Sequence, residues 1–173
     1  MPVAIAICDD EKIFRDEISC LVKKRVAESR VDCYDSGESL LESEERYDIY
    51  MLDILMPGVS GLELSRQIRD KEEHPAPIII FITALKDHMQ DAFDVQAYHF
   101  LVKPIDRDKF ISVLHRAVNE CQKRADQASL VIKSGSETFV LPYDDILFAE
   151  SRNKKVVIQK VHDNTYHHNK RKL

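Results

Sequence analysis

Apolar runs punctuate the first two thirds of the chain, and each of four ends in a charged or hydroxyl residue. Val3-Ala4-Ile5-Ala6-Ile7-Cys8 is followed by Asp9 and Asp10, and Ile49-Tyr50-Met51-Leu52 by Asp53. Ile78-Ile79-Ile80-Phe81-Ile82 is followed by Thr83, and Phe100-Leu101-Val102 by Lys103 and Pro104. Unbroken apolar runs of this length suit strands covered on both faces. A shorter run, Val31–Tyr34, completes a set of five. Between the runs the apolar spacing becomes helical. Phe14, Ile18, Leu21, Val22 and Val26 form a stripe within Lys12–Glu28. Asp35-Ser36-Gly37 opens a helix through Leu40 and Leu41, and Ser60 or Gly61 starts one carrying Leu62, Leu64 and Ile68. A short helix near Asp87–Val95 has only Met89, Ala92, Phe93 and Val95 to bury and is expected to be the loosest element. Phe110, Val113, Leu114, Ala117, Val118 and Cys121 mark a long amphipathic helix from Asp106 to about Ala125. Strand and helix alternate throughout, which predicts an α/β fold with a doubly wound parallel sheet over residues 1–125.

Beyond that helix the texture changes. Residues 126–129 are expected to link the first domain to a short all-β segment, 130–173. Leu130-Val131-Ile132 and Phe139-Val140-Leu141 flank Ser134-Gly135-Ser136 as a β-hairpin would. Ile146–Ala149 and Val156–Ile158 predict two more strands, joined by Arg152–Lys155. His162–Leu173 shows no apolar periodicity.

Composition narrows the class. Of 173 residues, 44% are hydrophobic and 32% charged, as in soluble globular proteins. No apolar stretch approaches the roughly 18 residues of a membrane helix, and no basic segment precedes the first apolar run as in a secretion signal. Cys8, Cys20, Cys33 and Cys121 lack metal-site spacing and read as reduced cytoplasmic thiols, with redox sensing at Cys8 as the lesser alternative. The net charge of −5 is uneven: residues 151–173 carry seven basic side chains and one acidic, Asp163. Such a basic tail suits either a nucleic-acid partner or a solvated end.

In an open parallel sheet, ligands bind at the carboxyl ends of the strands. The residues that end the four runs would converge there: three carboxylates, a hydroxyl and an ammonium. One Asp after a strand is an ordinary helix cap. Three carboxylates held together repel unless a cation joins them, and a hard oxygen-binding cation such as Mg²⁺ fits.

The segments Cys8-Asp9-Asp10, Asp53-Ile54-Leu55-Met56-Pro57-Gly58, Thr83-Ala84 and Lys103-Pro104 together resemble the receiver domain of two-component response regulators. The resemblance covers about residues 2–125 and implies a flavodoxin-like fold of strand order 2-1-3-4-5. It implies that Asp53 accepts a phosphoryl group from a sensor histidine kinase. Asp9, Asp10, Asp53 and the Leu55 carbonyl would hold Mg²⁺. Thr83, Ala84 and Lys103 would receive the phosphoryl oxygens, and the Lys103–Pro104 bond would be cis. Thr83 and Phe100 would form the switch, and the phosphorylated form would dimerise. Leu55 and Leu85 stand where receivers influence attack by water, and neither orients a water molecule, so self-dephosphorylation is expected to be slow. No enzymatic turnover is expected: a hydrolase of this architecture would need a second acid/base carboxylate where Leu55 stands.

Residues from about Leu130, above all Pro142–Ser151, resemble the start of a LytTR-type DNA-binding domain. That module has roughly a hundred residues, so about 45 would make a partial one. The resemblance implies transcription control, with Arg152, Asn153, Lys154 and Lys155 as candidate DNA contacts or a solvated hairpin tip. The alternative is a stand-alone receiver acting by protein contact or as a phosphate sink. No membrane partner is expected.

Overall fold

The computed structural model describes residues 2–71, 76–84, 95–127, 129–134, 137–152, 155–160 and 165–169. The chain divides into two compact units, Met1–Gln122 and Lys123–Leu173. In order, the first part of the chain runs β1 (Ala4–Cys8), α1 (Lys12–Arg25), β2 (Arg30–Tyr34), α2 (Gly37–Glu42), β3 (Ile49–Leu52), α3 (Gly61–Asp70), β4 (Ile78–Thr83), β5 (His99–Val102) and α4 (Arg107–Gln127). The five strands form one parallel sheet in the order β2-β1-β3-β4-β5. The fold is the flavodoxin-like receiver fold. The helix expected near Asp87–Val95 falls almost wholly outside the described residues.

Alternate residues of each strand feed two cores. On one face Ile5, Ile7, Met51, Ile80 and Ile82 pack with Ile18 and Val22 of α1 and with Phe110, Val113 and Leu114 of α4. On the other Ala6, Cys8, Leu52, Ile79 and Phe81 pack with Leu40 of α2 and with Leu64 and Ile68 of α3. This double burial explains why the strands read as unbroken apolar runs. Each fully buried Ile or Leu contributes about 1.5–3 kcal/mol over its exposed state.

Local chemistry sets the helix starts. Ser36 caps α2 by accepting from the Ser39 amide, and Ser60 caps α3 by accepting from the Glu63 amide. Each such cap is worth about 1 kcal/mol. Asp106 Oδ1 accepts from the Lys109 amide at 3.0 Å, ahead of α4.

The second unit holds two antiparallel sheets. β6 (Ser129–Ser134) pairs with β7 (Glu137–Pro142), and a three-stranded sheet has the order β10 (Thr165–Asn169), β9 (Lys155–Lys160), β8 (Ile146–Arg152). Helix α4 runs to Gln127 and β6 opens at Ser129, within the stretch expected to join the two domains. A strand also forms within His162–Leu173, where no apolar pattern exists. Backbone pairing suffices there, with Tyr166 opposite Ile158 and His168 opposite Val156.

Candidate functional site

The sheet's carboxyl edge is where β1, β3, β4 and β5 release their chain. Asp9 follows β1, Asp53 follows β3, Thr83 ends β4 and Lys103 follows β5; all four side chains are buried, while Asp10 is exposed. Their backbones are tied in series. The Asp53 amide donates to the Cys8 carbonyl at 2.8 Å, and the Lys103 amide to the Thr83 carbonyl at 2.8 Å. The Lys103–Pro104 peptide bond is cis.

Lys103 is the centre of the cluster. Its Nζ donates to Asp53 Oδ2 at 2.7 Å and lies 2.8 Å from Asp9 Oδ2. Glu11 Oε1 adds a third carboxylate at 3.5 Å, and the Phe14 ring centroid lies 4.0 Å from the ammonium. Burial alone would lower the ammonium's pKa. Its bonds to Asp53 and Asp9 outweigh that and hold it above the usual lysine value. Burial pushes the Asp9 carboxyl above the usual carboxylate range, and Lys103 with the Glu11 amide only partly pulls it back.

The remaining oxygens divide by task. Asp9 Oδ1 accepts from the Glu11 amide at 2.9 Å and Asp53 Oδ1 from the Leu55 amide at 3.2 Å. Asp9 Oδ2 is buried beside the ammonium yet makes no aligned hydrogen bond. One carboxylate oxygen from each of Asp9, Asp10 and Asp53 lies within 4.8 Å of the others. A hard divalent cation matches that donor set.

The loop after β3 holds Asp53 from below. Gly58 takes φ +74°, and a Cβ there would collide with the Glu38 carboxylate. Glu38 Oε1 accepts from the Val59 amide at 2.8 Å, tying the loop to α2. A Cβ at Gly61 would lie 1.9 Å from the Asp53 carbonyl oxygen, so α3 rests on the backbone of Asp53 itself.

The structure thus brings Asp9, Asp10, Asp53 and Lys103 together, with Thr83 on the neighbouring strand. Ala84 is exposed at the end of β4. The Leu55 amide serves Asp53 while its side chain is 55% exposed. Phe100 on β5 is half-buried, packed in the second core with its ring 6.5 Å from that of Phe81. Arg152 and Lys155 end β8 and start β9 and pair with each other, while Asn153, Lys154 and Leu85 lie outside the described residues. Glu11 and Phe14 were not readable as partners of Lys103. Phe14 belongs to an ordinary helical stripe and is 89 positions from the lysine.

A family model of the response regulator receiver domain matches residues 5–115. The chain belongs to the response regulator receiver family. It is a two-component response regulator, a class that works with a sensor kinase. Sensory transduction protein LytT of Oceanobacillus iheyensis is 28% identical over 164 residues, covering 91% of this chain and 67% of that protein. Transcriptional regulatory protein YpdB of Escherichia coli is 26% identical over 167 residues, covering 89% of this chain and 68% of that protein. Among solved structures, the response regulatory domain of MrkE from Klebsiella pneumoniae aligns with TM-score 0.62 and 27% identity, over 69% of this chain and 98% of that one. The BeF3-activated receiver domain of DrrB aligns with TM-score 0.63 and 26% identity, over 69% of this chain and 99% of that one. No described helix is long and apolar enough to cross a membrane.

Proposed function

We propose that Asp53 accepts a phosphoryl group from a phosphohistidine on a sensor histidine kinase, and that the resulting charge controls a LytTR-like DNA-binding output. The observation that carries this reading is the buried ammonium of Lys103 seated on both Asp53 and Asp9, with Asp10 in reach. A carboxylate oxygen of Asp53 attacks phosphorus, the phosphorus–nitrogen bond breaks, and the imidazole leaves with that electron pair. Lys103 offsets the repulsion between the incoming phosphoryl group and the carboxylates. Thr83 and the Ala84 backbone receive the remaining oxygens. Mg²⁺, held by Asp9, Asp10, Asp53 and the Leu55 carbonyl, would supply further charge neutralisation.

The acceptor is not a turnover enzyme. Leu55 orients no water molecule, and self-dephosphorylation is slow. The new charge draws Thr83 inward and Phe100 follows, which remodels the β4–β5 side of the sheet and promotes dimerisation. Arg152, Asn153, Lys154 and Lys155 contact DNA phosphates in that output. The protein acts in the cytoplasm, where its kinase presents the phosphohistidine. Exposed apolar Ile13 and Leu55 suit contact with the kinase.

The test is incubation with acetyl phosphate and Mg²⁺, comparing wild type with Asp53→Ala. Wild type gains one phosphoryl group by mass, shifts to a larger oligomer and is retained on DNA. Equal labelling of Asp53→Ala sinks the assignment of the acceptor. Labelling without DNA retention favours the stand-alone receiver.

A further inference from the structure

The Phe14 ring occupies an unusual place for an apolar residue of a helical stripe. Lys103 is buried, and its ammonium meets carboxylates from Asp53, Asp9 and Glu11. With the ring centroid 4.0 Å from Nζ, Phe14 adds an aromatic face to that shell. Phe14 lies in the first turn of α1, where side chains lean towards the helix N-terminus. That direction leads to the sheet edge where β5 delivers Lys103. The ring also packs against the first core, so the bulk of the domain holds it in place.

A ring face attracts a cation through its quadrupole, more strongly when water is excluded. It does so without adding negative charge to a pocket that already carries the carboxylates of Asp9, Asp10, Glu11 and Asp53. A further carboxylate there would raise repulsion towards any phosphoryl group; a ring does not. A leucine would keep the position apolar and leave one side of the ammonium without attraction.

We propose that Phe14 is a positioning residue for Lys103: its ring face holds the ammonium over the Asp53 and Asp9 carboxylates, in place for an incoming phosphoryl group. The catalytic part of this inference rests on the reading of Asp53 as phosphoryl acceptor; the ring–ammonium contact does not.

The experiment uses the full chain with ¹⁵N-labelled lysine, as wild type, Phe14→Leu and Phe14→Tyr. Each variant is first shown to keep the backbone spectrum of the folded protein. Without metal, the Lys103 ammonium resonance, assigned by its loss in Lys103→Arg, is displaced upfield by the ring in wild type and Phe14→Tyr. It returns downfield in Phe14→Leu. With saturating Mg²⁺, the limiting rate of labelling by acetyl phosphate falls about two- to fivefold in Phe14→Leu and is restored in Phe14→Tyr. The acetyl phosphate concentration for half-maximal rate stays unchanged. An unmoved resonance in Phe14→Leu overturns the contact. A moved resonance with an unchanged rate overturns the positioning role. Failure of wild type to label at all contradicts the acceptor reading instead and leaves the resonance to decide the contact.

Discussion

The two units of this chain use apolar residues in opposite ways. In Met1–Gln122 every strand of the parallel sheet except the edge strand β2 carries fully or nearly fully buried residues, and helices cover both faces. In Lys123–Leu173 the described residues place Leu141 and Ile158 inside, while Val131, Val140, Leu147 and Phe148 face outward. The difference teaches where stability and chemistry reside. A sheet sealed on both faces fixes its strand ends, and fixed strand ends can hold three carboxylates against one ammonium. Antiparallel strands with an open face are held mostly by backbone pairing.

The contrast predicts unequal penalties for equal deletions. Ile7 is 0% exposed and Val140 is 60% exposed. Ile7→Ala lowers unfolding free energy by about 3 kcal/mol, and Val140→Ala by less than about 0.5 kcal/mol. Urea unfolding followed by circular dichroism measures both, and similar losses would break the comparison. Lys103→Met, in EDTA, costs about 3 kcal/mol by leaving Asp9 and Asp53 buried without their cation. A neutral result would mean that these strand ends contribute nothing to the rigidity of the sheet.

An effect confined to alkaline pH concerns Cys8, at the end of β1. Burial, reinforced by Asp9, pushes its thiol up from 9.0 to about 12. The fold therefore keeps a proton that the unfolded chain releases. Stability falls as pH rises from about 9 to about 12, and Cys8→Ala removes that part of the slope. Alkylation offers a second measurement: exposed Cys20 and Cys33 react in the native protein while Cys8 reacts only after unfolding. Fast native alkylation of Cys8 would contradict its sealed environment.

The sequence was most readable where one physical demand dominated. Runs such as Ile78–Ile82 could serve only as doubly covered strands, and the polar residue after each run marked the sheet edge. Asp9, Asp53 and Lys103 were thus placed together before any coordinates. The boundaries at α4 and β10 were less readable, because helix extension and backbone pairing need no apolar signature. Contacts set by tertiary packing left no local trace. The Tyr34 and Tyr47 hydroxyls meet at 2.5 Å and Tyr47 donates to Asp32 at 2.9 Å, contacts that no residue spacing announces. Phe14 belongs with them: its helical spacing foretold burial but not the lysine it would meet.

Gly61 carries a consequence for how this loop can vary. Its missing side chain is required by a backbone oxygen that persists whatever occupies the pocket. A library randomised at positions 55 and 61 and selected for folding would return a broad spectrum at the first and glycine at the second. The neighbour of the Asp53 carboxylate is free to drift; the quiet residue beneath it is not.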